Sequence, residues 1–333
     1  MTAFLPPRRI ALPDRRGPRG TAIPAIHLAI YEAGAGPAVV MCHGFPELAY
    51  SWRHQVTALA ERGFRAIAVD QRGYGESDRP GSVEDYDLEH LTSDMAGLLD
   101  ELGIEKAVFA GHDWGGFVAW AMPVLYPERT LGVIGVNTPN FPFPTTKFYR
   151  TLVDDDDKMY ILWFQKPGAA EAFLDQRPRV VFEKLMRRAV PREQAMAQAA
   201  SHGVYANPFL YIDALGSIGP ALLSAEELDY YTRAYQGSGF AGGINWYRNI
   251  DRNAQHLPDV GTTRLDLPCL MLTAEWDPAL PPETAARMPE ICSDLEMHMI
   301  EKCGHWTQQE KPDELSRLML GWLSRRFEEQ RGR

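Results

Sequence analysis

The stretch Gly111-His112-Asp113-Trp114-Gly115-Gly116 decides how this chain is read. It follows a short apolar run, Ala107 to Ala110, with the character of a strand, and it opens a helical run from Val118 to Leu125. A tight strand–turn–helix holds its central side chain in strained backbone geometry and needs small neighbours on both sides. Gly111, Gly115 and Gly116 supply them, with Asp113 at the tip. An isolated Asp at a helix start is commonly only an N-cap. A cap has no need of the surrounding small-residue frame, so the frame favours a nucleophile. A carboxylate nucleophile attacks carbon by displacement and leaves an alkyl ester on the protein. Such chemistry suits a carbon with a strained or good leaving group, as in an epoxide or an alkyl halide, and does not suit ordinary esters.

Outward from this turn, strand and helix signals alternate. Ile26 to Tyr31, Ala38 to Cys42, Arg65 to Val69 and Leu131 to Val136 read as strands, with helices over Trp52 to Glu61 and Leu91 to Leu102. Short apolar strands alternating with helices imply a mostly parallel sheet covered on both faces. From about Thr138 to about Asp251 the chain carries helical signals, aromatics and Pro without a convincing strand. The alternation returns at Cys269 to Thr273, Glu296 to Ile300 and a last helix from about Pro312. A helical module is therefore expected inside an α/β domain, and pockets form at such junctions.

An alkyl ester on Asp113 must be hydrolysed, which calls for a general base to activate water. His305, in Glu301-Lys302-Cys303-Gly304-His305-Trp306, lies between a late strand and the last helix. Its orienting acid is expected to be Asp277, in Thr273-Ala274-Glu275-Trp276-Asp277-Pro278, with Glu275 as competitor and Glu301 a weaker one. The chain order nucleophile, acid, His is a known order for a strand–turn–helix nucleophile. His43-Gly44-Phe45-Pro46 follows a buried strand, and its turn can aim backbone N–H groups at the site. The Phe45 and Trp114 amides are the expected oxyanion donors as water attacks the ester. Pro46 can fix that loop, and His43 is assigned a structural role, bonded to nearby backbone.

The whole chain sets outer limits. Its 333 residues are 45% apolar and 23% charged, enough for a large core. A net charge of -10 supplies no basic field for nucleic acid. No apolar run reaches the roughly 18 residues that a membrane helix needs, so no membrane anchor is expected. The arginines among the first twenty residues alternate with Pro and Gly and read as a solvated, irregular arm. Cys42, Cys269, Cys292 and Cys303 match no zinc spacing and demand no oxidising compartment, so the cytoplasm is the expected location. The run Asp154 to Asp157 reads as a solvated loop or helix start.

Taken together, His43-Gly44-Phe45-Pro46, Gly111 to Gly116, Asp277 and Gly304-His305-Trp306 resemble the α/β-hydrolase epoxide hydrolases, over nearly the whole chain from Ile23 to Arg326. The resemblance implies an α/β fold: an α/β-hydrolase core with a mostly parallel eight-stranded sheet and an inserted α-helical cap. It divides the chain into an irregular arm (1–20), a core (21–138 and 252–333) and a cap (139–251). Met159-Tyr160-Ile161-Leu162-Trp163-Phe164-Gln165-Lys166-Pro167-Gly168 and Gly243-Ile244-Asn245-Trp246-Tyr247-Arg248-Asn249 look like the two cap segments that carry the family's ring-opening tyrosines. By that match Tyr160 and Tyr247 donate to the epoxide oxygen, since two phenols can polarise and protonate an opening alkoxide at neutral pH. Phe45, Pro46, Trp114, Trp163, Trp246 and Trp306 are the expected lining of an apolar pocket. The implied partners are a small-molecule epoxide and water, with no cofactor and no metal, in a monomer or homodimer. The motifs resemble the hydrolase domain of the mammalian soluble enzyme, and no preceding phosphatase-like domain is expected.

Haloalkane dehalogenases share the cap, the Asp turn and the Trp beside it, and Trp114 would be a halide ligand there. Phe45 offers no side-chain donor where that family often has Asn, and cap tyrosines also point away from it. Esterases and lipases of this fold need Ser at position 113. A noncatalytic binding protein would have no use for Asp113, Asp277, His305, Tyr160 and Tyr247 together.

Overall fold

The computed structural model describes residues 6–201, 203, 204 and 206–327. Eight strands form one sheet: β1 (Arg8–Leu12), β2 (Ile26–Ala33), β3 (Ala38–Cys42), β4 (Arg65–Asp70), β5 (Ala107–His112), β6 (Thr130–Val136), β7 (Leu265–Ala274) and β8 (Cys292–Ile300). Their order across the sheet is β1-β2-β4-β3-β5-β6-β7-β8. The β1–β2 and β2–β4 pairs are antiparallel and the other five are parallel. The expected mostly parallel eight-stranded sheet is therefore present.

Two apolar layers flank it, and alternate residues of the central strands feed opposite layers. Val40, Phe109, Val133 and Met271 pack on one side with helices Leu88–Glu101 and Trp114–Leu125. Val39, Val108, Ile134 and Leu272 pack on the other with helices Arg53–Glu61 and Pro312–Phe327. Period-2 alternation sends neighbouring side chains to opposite faces, and both faces are covered, so β3 and β5 are buried at every residue. Each fully buried Val, Leu or Ile contributes about 1.5–3 kcal/mol.

The arm expected to be irregular over 1–20 is corrected in part. Residues 1–5 lie outside the described residues, but Arg8–Leu12 is a full edge strand and Arg15–Arg16 pairs with Ala22–Ile23. Only Leu12 of β1 is buried, while Arg8 and Arg9 reach Glu32 (3.0 Å) and Asp78 (2.5 Å). Backbone pairing and ion pairs hold this edge strand, and neither leaves an apolar pattern in the sequence.

Between Val136 and Leu265 the described elements are helices, from Thr146–Tyr149 to Ile250–His256, with only isolated bridges beside them. Helix Ala225–Ser238 docks this module on the sheet domain. Tyr231 Oη lies 2.8 Å from Ser51 Oγ, Tyr235 Oη donates to the Glu47 carbonyl (3.0 Å), and Arg53 pairs with Glu227 (2.6 Å). The acidic run is paired with surface cations, as in Asp154–Lys158 and Asp157–Lys166. No described helix is long and apolar enough to cross a membrane.

Candidate active site

The loops after β3, β5, β6, β7 and β8 converge at the carboxyl ends of the parallel strands, where ligands of open α/β sheets bind. Asp113 follows β5 with φ 51° and ψ -122°, an unusual conformation for a residue with a side chain. Close packing enforces it. A Cβ on Gly111 would lie 1.9 Å from the Gly115 carbonyl oxygen, and one on Gly115 would lie 2.0 Å from that of Cys42. The small-residue frame thus lets the turn seat against β3. Thr138 Oγ1 donates to the Asp113 carbonyl (2.8 Å), and the Asp113 side chain makes no helix-capping bond.

The Asp113 carboxylate faces backbone amides on one side and an imidazole on the other. The Phe45 amide donates to Oδ1 at 2.8 Å, and the Trp114 amide, next in the chain, also favours the charged carboxylate. His305 Nε2 lies 3.8 Å from Oδ2. Burial holds the Asp113 carboxyl above its ordinary range, against the opposing pull of His305, His112 and the two amides. The Phe45–Pro46 peptide bond is cis.

His305 Nδ1 lies 2.9 Å from Asp277 Oδ2. Asp277 is wholly buried, and its other oxygen accepts from the Ala279 (2.8 Å) and Leu280 (3.0 Å) amides. Burial alone would raise the Asp277 carboxyl, but the His305 charge and these hydrogen bonds hold it down at about 2. Burial would lower the His305 imidazole, but the Asp277 carboxylate and, after it, that of Asp113 push it up to about 9. Of the competing acids, Glu275 instead accepts from the Lys302 amide (2.8 Å), and Glu301 is exposed.

Tyr160 and Tyr247 come from helices Tyr160–Trp163 and Ala241–Arg248, far apart in sequence. Their rings meet edge-on with centroids 5.4 Å apart, which brings the two phenols together. Gln165 Nε2 donates to the carbonyls of both Ile161 and Tyr247 (2.9 Å each), which locks the two helices together. Burial raises both phenols far above their ordinary value, and the Asp113 charge adds to it. Both hydroxyls therefore keep their protons at neutral pH. Phe45 and Trp114 pack edge-on against Tyr247, at 5.4 and 5.2 Å.

The other residues expected to line the pocket fall in different surroundings. The Trp306 ring lies 4.7 Å from that of His305 and donates to the Leu185 carbonyl (2.8 Å). Trp246 is wholly buried behind Trp114, against His43 and Tyr74. Trp163 packs on Phe164 and Phe173, and Pro46 is buried beside Phe45. His43 bonds the Gly44 carbonyl (2.8 Å) and the Gln71 amide (3.2 Å), with burial pushing its imidazole down to about 4.

Three residues of the site were not legible in the sequence. Glu47, wholly buried, accepts from the Gly44 amide (3.0 Å), His112 Nδ1 (2.7 Å) and Gln308 (2.9 Å). Burial would raise its carboxyl, but His112 and the Gly44 amide hold it at about 2. The other nitrogen of His112 bonds the His305 carbonyl at 2.6 Å. Asn137, at φ 63°, donates to Asp277 Oδ2 (2.6 Å) and accepts from Thr307 (2.7 Å). No group of three or more metal-ligating side chains occurs among the described residues.

Residues 37–312 match the family model described as alpha/beta hydrolase fold. Epoxide hydrolase A of Mycobacterium tuberculosis is 40% identical over 309 residues, covering 90% of this chain and 94% of that protein. The chain belongs to the epoxide hydrolase family of the α/β-hydrolase fold. Bifunctional epoxide hydrolase 2 of Sus scrofa is also 40% identical, and this hydrolase spans 54% of that longer relative. The crystal structure of epoxide hydrolase A from Mycobacterium thermoresistibile superposes with a TM-score of 0.83 at 38% identity, covering 96% of this chain and 98% of that one.

Proposed function

We propose that this enzyme hydrolyses epoxides to vicinal diols through an ester on Asp113. The epoxide binds between the sheet domain and the helical module, for which we adopt the division 21–138 with 252–333 and 139–251. Tyr160 and Tyr247 donate to the epoxide oxygen. Asp113 Oδ2 attacks a ring carbon, the C–O bond breaks, and the alkoxide takes a proton from a tyrosine. Oδ1 remains the ester carbonyl oxygen beside the Phe45 and Trp114 amides.

Ester formation removes the negative charge of Asp113, one of the causes that raise His305. The imidazolium then yields its proton more readily; that proton returns to the tyrosinate by way of solvent, and the neutral imidazole becomes the base for water. Water attacks the Asp113 carbonyl carbon, His305 takes its proton, and the two amides stabilise the oxyanion. Collapse releases the diol and restores the carboxylate. Asp277 holds the imidazole tautomer and stabilises its cation.

The observation that supports this reading over haloalkane dehalogenase chemistry is the pair of adjoining buried phenols, Tyr160 and Tyr247, close enough to Asp113 to feel its charge. An opening epoxide needs a proton on oxygen, whereas a leaving halide needs only N–H or similar donors. The test is to incubate the enzyme with an aryl epoxide and, separately, with a haloalkane. Diol from the first and no halide from the second is expected. Halide release without any diol from the epoxide would overturn the proposal.

A further inference from the structure

Glu310 ends the short helix after His305 and is buried, yet it belongs to neither the carboxylate–imidazole set nor the phenol pair. Its two oxygens are divided between two parts of the molecule. Oε2 accepts from the Gly304 amide at 3.0 Å, next to His305. Oε1 accepts from the Ala189 amide at 2.9 Å, in the helical module. The two segments meet closely there: a Cβ on Gly304 would lie 2.5 Å from that of Ala189. The Gly304 carbonyl is bonded inward instead, by Thr307 (3.0 Å) and Asn137 (3.3 Å). The Gly304 amide is thus the end of that peptide pair that leads out to the helical module.

We propose that Glu310 is a positioning residue that ties the module at Ala189 to the loop carrying His305, and so sets the imidazole for water attack. This rests on the function proposed above. A carboxylate suits two facing N–H donors because both of its oxygens accept. A carboxamide of the same size can accept from one and turns its own N–H groups on the other. Ring opening depends on Asp113, held by its turn, and on the two phenols, held by Gln165. Ester hydrolysis depends on the His305 loop. Loosening Glu310 therefore slows the second step more than the first.

The test is Glu310→Gln, with Glu310→Asp as a second variant that keeps the charge but is too short to reach both amides. Hydrogen exchange is expected to quicken in peptides containing Ala189 and Gly304 and to stay unchanged in the β5 turn. Losing one charge-assisted hydrogen bond predicts a roughly tenfold slower ester hydrolysis. Slower breakdown of a covalent intermediate lowers kcat and KM together and leaves kcat/KM near its original value. A merely structural residue would lower kcat/KM along with kcat. Unchanged exchange at both amides in a folded variant, or kcat/KM falling in step with kcat, would overturn the proposal. If His305→Gln forms no ester with an epoxide, the covalent reading itself fails, and the exchange measurement still decides the tie.

Discussion

The Nδ1 atom of His305 lies 2.9 Å from Oδ2 of Asp277, the shorter of the two carboxylate approaches to that imidazole. The Asp113 oxygen on its far side stands at 3.8 Å. The imidazole is therefore anchored at its back by a buried acid and leaves its front nitrogen beside the Asp113 carboxylate.

Removing the anchor should disable the base with little change in the backbone. Asp277→Asn puts an amide where an acceptor is needed and favours the wrong tautomer. By analogy with other acid–histidine pairs, kcat should fall on the order of 10³–10⁴-fold. Steady-state kinetics on an epoxide that gives diol with the parent enzyme checks this, and a loss below tenfold would mean that Asp277 does not orient the base.

The same pair makes stability depend on pH in a signed way. His305 is raised to about 9, so its contribution is complete below its unfolded value of about 6.5 and is lost as pH rises through about 9. Asp277 is held at about 2, so its contribution is present above its ordinary value and is lost as pH falls through about 2. Denaturant unfolding of the parent and of His305→Gln should therefore differ most near pH 6 and converge above pH 9. A stability gap that widens over this range would contradict the account.

The phenols carry a separate expectation. Tyr160→Phe or Tyr247→Phe alone leaves one donor to the epoxide oxygen. A hydrogen bond to developing charge is worth about 1.5–3 kcal/mol, so each single variant should lose about 10- to 150-fold in ring opening. The double variant should lose ring opening altogether. Rapid-quench measurement of ester formation checks both, and a fully active double variant would show the donors to be misassigned.

The turn itself is testable by adding one carbon. A Cβ on Gly44 would lie 2.4 Å from that of Asp113 and 2.5 Å from its Oδ1. Gly44→Ala must push the Phe45 loop away from the carboxylate, at a stability cost of about 1–3 kcal/mol typical of overpacking. Activity should fall further than the loss of folded protein explains, as kcat/KM and thermal melting measured on the same sample would show.

The sheet was legible because its central strands are buried on both faces and appear as short apolar runs. Strand β1 was not, because Arg8 and Arg9 face solvent and the strand is held by backbone pairing. Asp113 could be read from its glycine frame, and His305 and Asp277 from their loops after late strands. The two tyrosines came from resemblance, since nothing in their local spacing separates them from packing aromatics. Glu47, His112 and Asn137 stayed hidden for a physical reason. Their partners lie 65, 193 and 140 residues away in the chain, so their chemistry exists only once the strand ends have converged.

The most direct test of an ester on Asp113 is mass spectrometry of His305→Gln incubated with an epoxide. The variant keeps Asp113 and both phenols but lacks the imidazole proposed to hydrolyse the ester. The account predicts a mass gain equal to one epoxide, located on the peptide that contains Asp113. No adduct on that peptide, in a folded variant that still binds the epoxide, would contradict it.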